Sequence, residues 1–207
     1  METINDHTFE LFNQSQTAQA SLSNFLTFYG DGVPFGSTIH PIKVAGGTQS
    51  NADANGIPLT GVNLEVGRLA MMAQRGDRDE TLRFGHSKMI LLVAPANEKK
   101  ALELVKSDLK AETANNDVNI YRNGLMTVMS SQLLSTANGW DDRRWMLLDP
   151  MKHRATFFTR RPLTIGSAYE TNSNKNVTID VSTRHKVAPA DWRGFWVSRG
   201  NSAAYAL

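Results

Sequence analysis

Histidine is the side chain best suited to moving a proton near neutral pH, and this 207-residue chain has five: His7, His40, His86, His153 and His185. None stands at metal-ligand spacing from another histidine or a carboxylate, so they imply no metal site. His40 is the best single catalytic candidate, because it precedes Pro41 and the loop Gly46-Gly-Thr-Gln-Ser-Asn51, rich in hydroxyl and amide groups. A lone loop histidine more often packs or shapes a turn, and that is the expectation for His40. The GGTQSN stretch imitates a phosphate cradle. Such a cradle needs a strand before it, a helix N-terminus directly after it and a lysine beside the Ser or Thr. Here more loop intervenes before the next helix and no Gly-Lys-Ser/Thr occurs.

The other chemical groupings are no stronger. Ser130, Ser131 and Ser135 lack the Gly-x-Ser-x-Gly surround of a nucleophile elbow. Asp141, Asp142 and Asp149 suggest paired carboxylates, but Arg143 and Arg144 stand among them and a solvated charged loop is the simpler expectation. Lys152, Arg154, Arg160 and Arg161 form a basic stretch with Phe157 and Phe158 interleaved, as a surface for single-stranded nucleic acid would. Adjacent residues of a strand point to opposite faces, so at most one of these rings could serve as a stacking platform. A charged edge that meets a neighbouring subunit is the competing reading. No residue is therefore assigned a catalytic, cofactor-binding or metal-binding role, and no cofactor is implied.

The elements that would position these groups follow from composition and periodicity. An apolar content of 41% is that of a folded chain with one core or two small lobes sharing one. The net charge of +2 argues for neither nucleic acid nor membrane. The absence of cysteine removes disulfides, thiol nucleophiles and thiolate metal sites. The N-terminus carries acids and amides where a signal peptide carries a basic start and an apolar core, and no run has the roughly 18–20 apolar residues of a membrane span. A soluble, intracellularly made protein is expected, with the triplets at Asn13 and Asn176 unglycosylated.

Residues 1–30 read as a helix on Phe9, Leu11, Phe12, Leu22, Phe25 and Leu26, and residues 30–61 as a long loop. From Thr60 to about Asp79 the intervals of three and four between Val62, Val66, Leu69, Ala70 and Ala73 predict a helix with that stripe facing the core. Glu65, Arg68, Gln74 and Arg75 then face away, and Gly76 with the charged run Asp77–Glu80 ends the helix. Lys88–Val93 reads as a strand buried on both faces. After Ala94-Pro95, Asn97 caps a helix to Asp108 that turns Ala101, Leu104 and Val105 inward. Asn123-Gly124 predicts a two-residue hairpin turn. Trp145–Leu148, closed by Asp149-Pro150, and Ala155–Phe158 read as strands. The alternation Val177, Ile179, Val181 reads as a half-buried strand, and Trp192–Val197 as a last apolar aromatic segment. There is no internal repeat.

Taken in order, several stretches resemble the major capsid proteins of tailed bacteriophages with the Hong Kong 97-type fold. They are Asp31–Pro41 with Gly46–Asn51, the helix bearing Leu64, Glu65 and Met71, and Leu91-Leu-Val-Ala-Pro95. Thr113–Asp117 before Val118-Asn-Ile120, Trp145–Pro150 and Asp191-Trp-Arg-Gly194 complete the set, which spans roughly residues 31–200. The resemblance implies an α+β fold with a peripheral domain of spine helix plus long strands and an axial α/β domain. Residues 1–85 would hold the N-terminal helix, irregular loop and spine helix, 86–150 the axial domain, and 151–207 the return strands and C-terminal tail. About 30 residues precede the matching loop, too few for both the N-terminal arm and the extended loop usual in the family, so a processed, truncated or shortened chain is expected. Covalent cross-linking between subunits, known in some members, carries over to no residue here.

By the same resemblance the function is that of a major capsid protein, not an enzyme, that self-assembles through pentameric and hexameric capsomers into an icosahedral head around double-stranded DNA. Scaffold, portal and decoration proteins are the implied further partners, packaged DNA would be held without sequence readout, and no membrane is involved. Localisation would be the virion, after assembly in the host bacterial cytoplasm. The near-neutral charge suits packing of many copies. The alternatives are a single-stranded nucleic-acid module on the Lys152–Arg161 strip, a capsid-like protein nanocompartment shell, and a hydrolase built on His40.

Overall fold

The computed structural model describes residues 31, 33, 35–85, 88–109, 118–138, 141–167, 169–171 and 176–202. The helix expected over residues 1–30, His7, Asn13, His86 and the Thr113–Asp117 motif lie outside them. The described chain is mixed α+β. Its strands are β1 (His40–Pro41), β2 (Thr48–Gln49), β3 (Met89–Val93), β4 (Met126–Ser130), β5 (Trp145–Leu148), β6 (Ala155–Ile165), β7 (Tyr169–Thr171), β8 (Asn176–Thr178), β9 (Val181–Pro189) and β10 (Phe195–Ser198). Helix α1 spans Gly61–Met72 and α2 spans Pro95–Lys106.

The centre is a four-stranded sheet in the order β10-β5-β3-β4, with β3 parallel to β4 and antiparallel to β5, which pairs antiparallel with β10. Alternation along the strands sorts the core into two layers. Met89, Leu91, Val93, Met126, Trp145, Leu147 and Trp196 pack with Leu64 and Met71 of α1 and with Ala101, Leu104 and Val105 of α2. Leu92, Met146 and Val197 pack on the other face with Ala52, Ala94 and Leu134. The expected burial of the Lys88–Val93 run holds for Met89 and Leu91–Val93, and the inward positions expected of α2 are all buried.

Four local expectations are corrected. Helix α1 begins where Thr60 accepts the Asn63 N–H at 3.2 Å, but it ends at Met72, short of Asp79, because Gln74 turns inward and is buried. The side facing the core is Leu64, Gly67 and Met71, while Val62, Val66 and Leu69 are 76%, 46% and 52% exposed. The helix is apolar on opposite sides, and periodicity cannot choose between two stripes of the same spacing. The core chose the side with a glycine, since any Cβ at Gly67 would lie 2.9 Å from the Trp196 ring.

Asn97 does not cap α2. Pro95 occupies the first turn after Ala94, which makes no side-chain cap, and Asn97 Nδ2 donates instead to the Asp142 carbonyl at 2.7 Å. Asn123-Gly124 is not a hairpin turn. Asn119 accepts the Tyr121 N–H and opens a 3₁₀ turn over Ile120–Asn123, and Gly124, at φ 77°, ends that turn and sends the chain into β4, parallel to β3. Positive φ at that glycine was read correctly, but a 3₁₀ exit needs it as much as a hairpin does.

The segment with Val177, Ile179 and Val181 is exposed rather than half-buried. β6 and β9 form a two-stranded antiparallel ribbon with register shifts between Thr159 and Arg161 and between Arg161 and Thr164, and β7 pairs with β8 further out.

Candidate assembly surfaces

His40 sits on β1, whose partner β2 is joined to it through Gly46 and Gly47, both at positive φ. Its ring is fully buried and stacks on Trp192 at 4.2 Å with planes 5° apart. Nδ1 lies 2.8 Å from the Asp31 carboxylate, and Nε2 lies 3.1 Å from the Phe35 carbonyl and 3.2 Å from Asn51 Oδ1. Burial is the largest influence on this imidazole and holds its pKa below 6.5, against the pull of Asp31 and the neighbouring acceptors. A buried ring with every polar contact internal has no face for a substrate, so the packing expectation for His40 is the one the geometry bears out.

Asn51 is the hub of this node. Its Nδ2 donates to the carbonyls of Phe35 (2.7 Å) and Trp192 (3.2 Å), and its Oδ1 accepts the Ser37 N–H at 2.9 Å. Its backbone carbonyl accepts the Val197 N–H, and the Val197 carbonyl accepts the Asp53 N–H. GGTQSN thus ends by lying along the outer edge of β10, and no phosphate cradle forms in front of a helix. Gln74 ties α1 to the same strand, donating to the Phe195 carbonyl at 2.8 Å and accepting the Gly194 N–H at 2.9 Å.

The remaining candidates separate in space. Ser130 donates to Glu98 at 2.8 Å and Ser131 accepts the Leu133 N–H, both local structural bonds. Asp141 pairs with Arg143 at 2.9 Å on the surface, as a charged loop should. Asp149 departs from that expectation: it is fully buried and accepts the N–H groups of Gly85 (3.1 Å) and Met151 (3.0 Å). A carboxylate followed by proline can close a strand by accepting backbone donors, which its neighbours in sequence do not reveal. His153 borders a surface recess of about 500 Å³ whose lining includes Asp77, Glu80, Lys152, Asp191 and Arg193 but no serine or threonine. Among the described residues no three His, Asp or Glu side chains converge as a metal would require.

The basic stretch divides. Lys152 is spent on the body, where its ammonium donates to the carbonyls of Leu82 and Arg83 and lies 5.7 Å from the Phe84 ring centre. Arg160 and Arg161 are exposed on the ribbon, as are Phe157, whose ring stacks on His185 at 5.5 Å, and Phe158. Sequence reasoning missed the size of the uncovered apolar surface. It comprises Leu163, Ile165, Val177, Ile179 and Val181 on the ribbon and Val62, Val66 and Leu69 on α1. The available signal was Gly67, because a glycine inside a helix costs about 1 kcal/mol and marks a close approach.

The described residues include no helix long and apolar enough to cross a membrane. A family model described as phage capsid protein matches residues 2–198. Neither the curated proteins nor the solved structures return a match.

Proposed function

The chain belongs to the phage capsid protein family, and from that premise we propose that it is a major capsid subunit of the Hong Kong 97 type, closing by self-assembly into an icosahedral head around double-stranded DNA. Membership makes it a structural protein of the virion. The observation that carries the finer reading is the extent of the match, which covers nearly the whole chain and leaves little room for a separate active module.

In this reading residues 86–150 act as the axial lobe around the capsomer axes, and residues 1–85 and 151–207 supply the peripheral lobe, with α1 as spine helix. One core joins them, since Leu64 and Met71 of α1 and Trp196 of β10 pack in the same cluster as Leu91, Val93 and Leu147. Pentameric and hexameric capsomers are the self-assembled units, and scaffold, portal and decoration proteins are further partners in the host bacterial cytoplasm. DNA inside the shell is held by charge without base readout. Individually modest interfaces suffice, because closure over many copies multiplies them.

Negative-stain microscopy and sedimentation of the expressed full-length chain test the proposal. Capsomers or megadalton particles are expected, and a strict monomer at high concentration would refute it. The contents of particles recovered from cells decide between the head and a nanocompartment: packaged DNA supports the head, and packaged enzyme with no DNA supports the compartment.

A further inference from the structure

Two surfaces of this chain are apolar and uncovered. One is the outer stripe of α1, where Val62, Val66 and Leu69 recur at intervals of four and three on the side away from the core. The other is the β6–β9 ribbon, where Phe158, Leu163, Ile165, Ile179 and Val181 are exposed and no further strand or helix backs the pair. A two-stranded ribbon is marginal in water without a third strand or a packed face, and a helix apolar on opposite sides is ordinarily covered on both.

Charge distinguishes the two surfaces. Between Arg154 and Ala190 six Lys or Arg stand against two acids, so this segment carries +4; the whole chain carries +2, which leaves the remainder at −2. Ribbon and body are therefore complementary between copies. We propose that the ribbon of one copy lies across the outer stripe of α1 in a second copy, a head-to-tail contact that repeats around a closed assembly. The inference rests on the assembly reading and names its interface. The lengths agree: the 11 residues of β6 extend about 36 Å at roughly 3.3 Å per residue, and the 12 residues of α1 extend about 18 Å at roughly 1.5 Å per residue. Nucleic acid is the poorer occupant, because phosphates would engage Arg160 and Arg161 yet leave Leu163, Ile165, Ile179 and Val181 wet.

The absence of cysteine makes the test clean. Val66→Cys and Leu163→Cys are placed in separate copies of different size, co-assembled and oxidised. A mixed cross-linked dimer is expected in the particles. In parallel, Val62→Ser/Val66→Ser/Leu69→Ser is expected to keep the wild-type unfolding midpoint while particle yield at fixed concentration falls about tenfold or more. Normal particles from the triple variant with no mixed dimer overturn this inference and leave the assembly reading standing, as does cross-linking of Val66→Cys only to itself. Loss of DNA retention in Arg160→Ala/Arg161→Ala particles, without a mixed dimer in the cysteine pair, assigns the ribbon to nucleic acid and also overturns it. Absence of any particle from the wild-type chain overturns both readings.

Discussion

Replacing Gly67 by alanine sets two known effects against each other at one atom. Alanine in a helix interior is favoured over glycine by about 1 kcal/mol. The added Cβ, however, would lie 2.9 Å from two carbons of the Trp196 ring and 3.2 Å from Leu147 Cδ1, where carbon contacts relax at about 3.5–4.0 Å. Trp196 cannot swing away cheaply: it is 2% exposed, its strand pairs with β5 at Leu147, and its ring lies 4.9 Å from that of Trp145. Overpacking of this kind costs about 1–3 kcal/mol, so Gly67→Ala is expected to be destabilising by about 1 kcal/mol net. Gly61→Ala is the internal control. Its Cβ meets only Leu104 Cδ2, at 3.7 Å, and the substitution is expected to stabilise by about 0.4–1 kcal/mol. Urea unfolding followed by tryptophan fluorescence, on subunits kept below the concentration of assembly, should place the two variants on opposite sides of wild type. At an m-value of about 2 kcal/mol/M the separation is about 0.5–1 M. A midpoint for Gly67→Ala equal to or above that of Gly61→Ala would refute the close approach of α1 to Trp196.

Gln74→Leu should lower stability by about 2–4 kcal/mol, because it leaves the buried Phe195 carbonyl and Gly194 N–H without their partner; a loss below about 1 kcal/mol in the same urea assay would sink that account. Arg193 donates to the Arg75 carbonyl, Asp77 and Asp191 and lies 4.7 Å over the Trp192 ring. Lysine cannot reproduce that fork, so Arg193→Lys is expected to lower the thermal midpoint, and an unchanged midpoint would show the fork to be dispensable. Burial holds the pKa of both His40 and His153 below 6.5 in the folded chain. Below that pH the unfolded chain binds more protons, so stability present above 6.5 should be lost as pH falls through the folded values, and a urea midpoint that rises from pH 7 to 5.5 would contradict it.

The central sheet was legible because its strands are short continuous apolar runs, and a strand buried on both faces has no other way to be written. The inward positions of α2 were legible for the complementary reason: its other residues, among them Glu98, Lys99, Lys100 and Glu103, are charged and leave one side for the core. Helix α1 has no such contrast. Glu65 is paired with Arg68 and accepts the Tyr121 hydroxyl, so a residue expected on a solvent face is tied to the fold. His40 could be read as a packing residue, but its partners could not, since Asp31, Asn51 and Trp192 come from three separate stretches that only the completed fold assembles. The hairpin expected at Asn123-Gly124 failed because the turn signal reports a backbone angle and not the direction in which the chain leaves.

The reversal on α1 has a physical cause beyond ambiguity of pattern. Hydrophobic stabilisation depends on apolar area removed from water, about 25 cal/mol per Å², and is indifferent to whether the covering atoms belong to the same chain. A subunit that must fold and then assemble needs two apolar surfaces on some of its elements, and only one is covered at each stage. The first is chosen by packing: Gly67 lets Trp196 sit against the helix backbone, a fit that Val62, Val66 and Leu69 cannot offer because their branched side chains hold a neighbour off. The second surface is then left over by the fold, on the element that Thr60, Gln74 and the Asn51 segment fasten to the sheet. An uncovered stripe on so firmly held a helix is better suited to a repeated contact than one on a loop, since no ordering entropy is lost when it docks. The ribbon has the opposite character, and its ordering would accompany docking, which places most of the cost of association on one side of the contact.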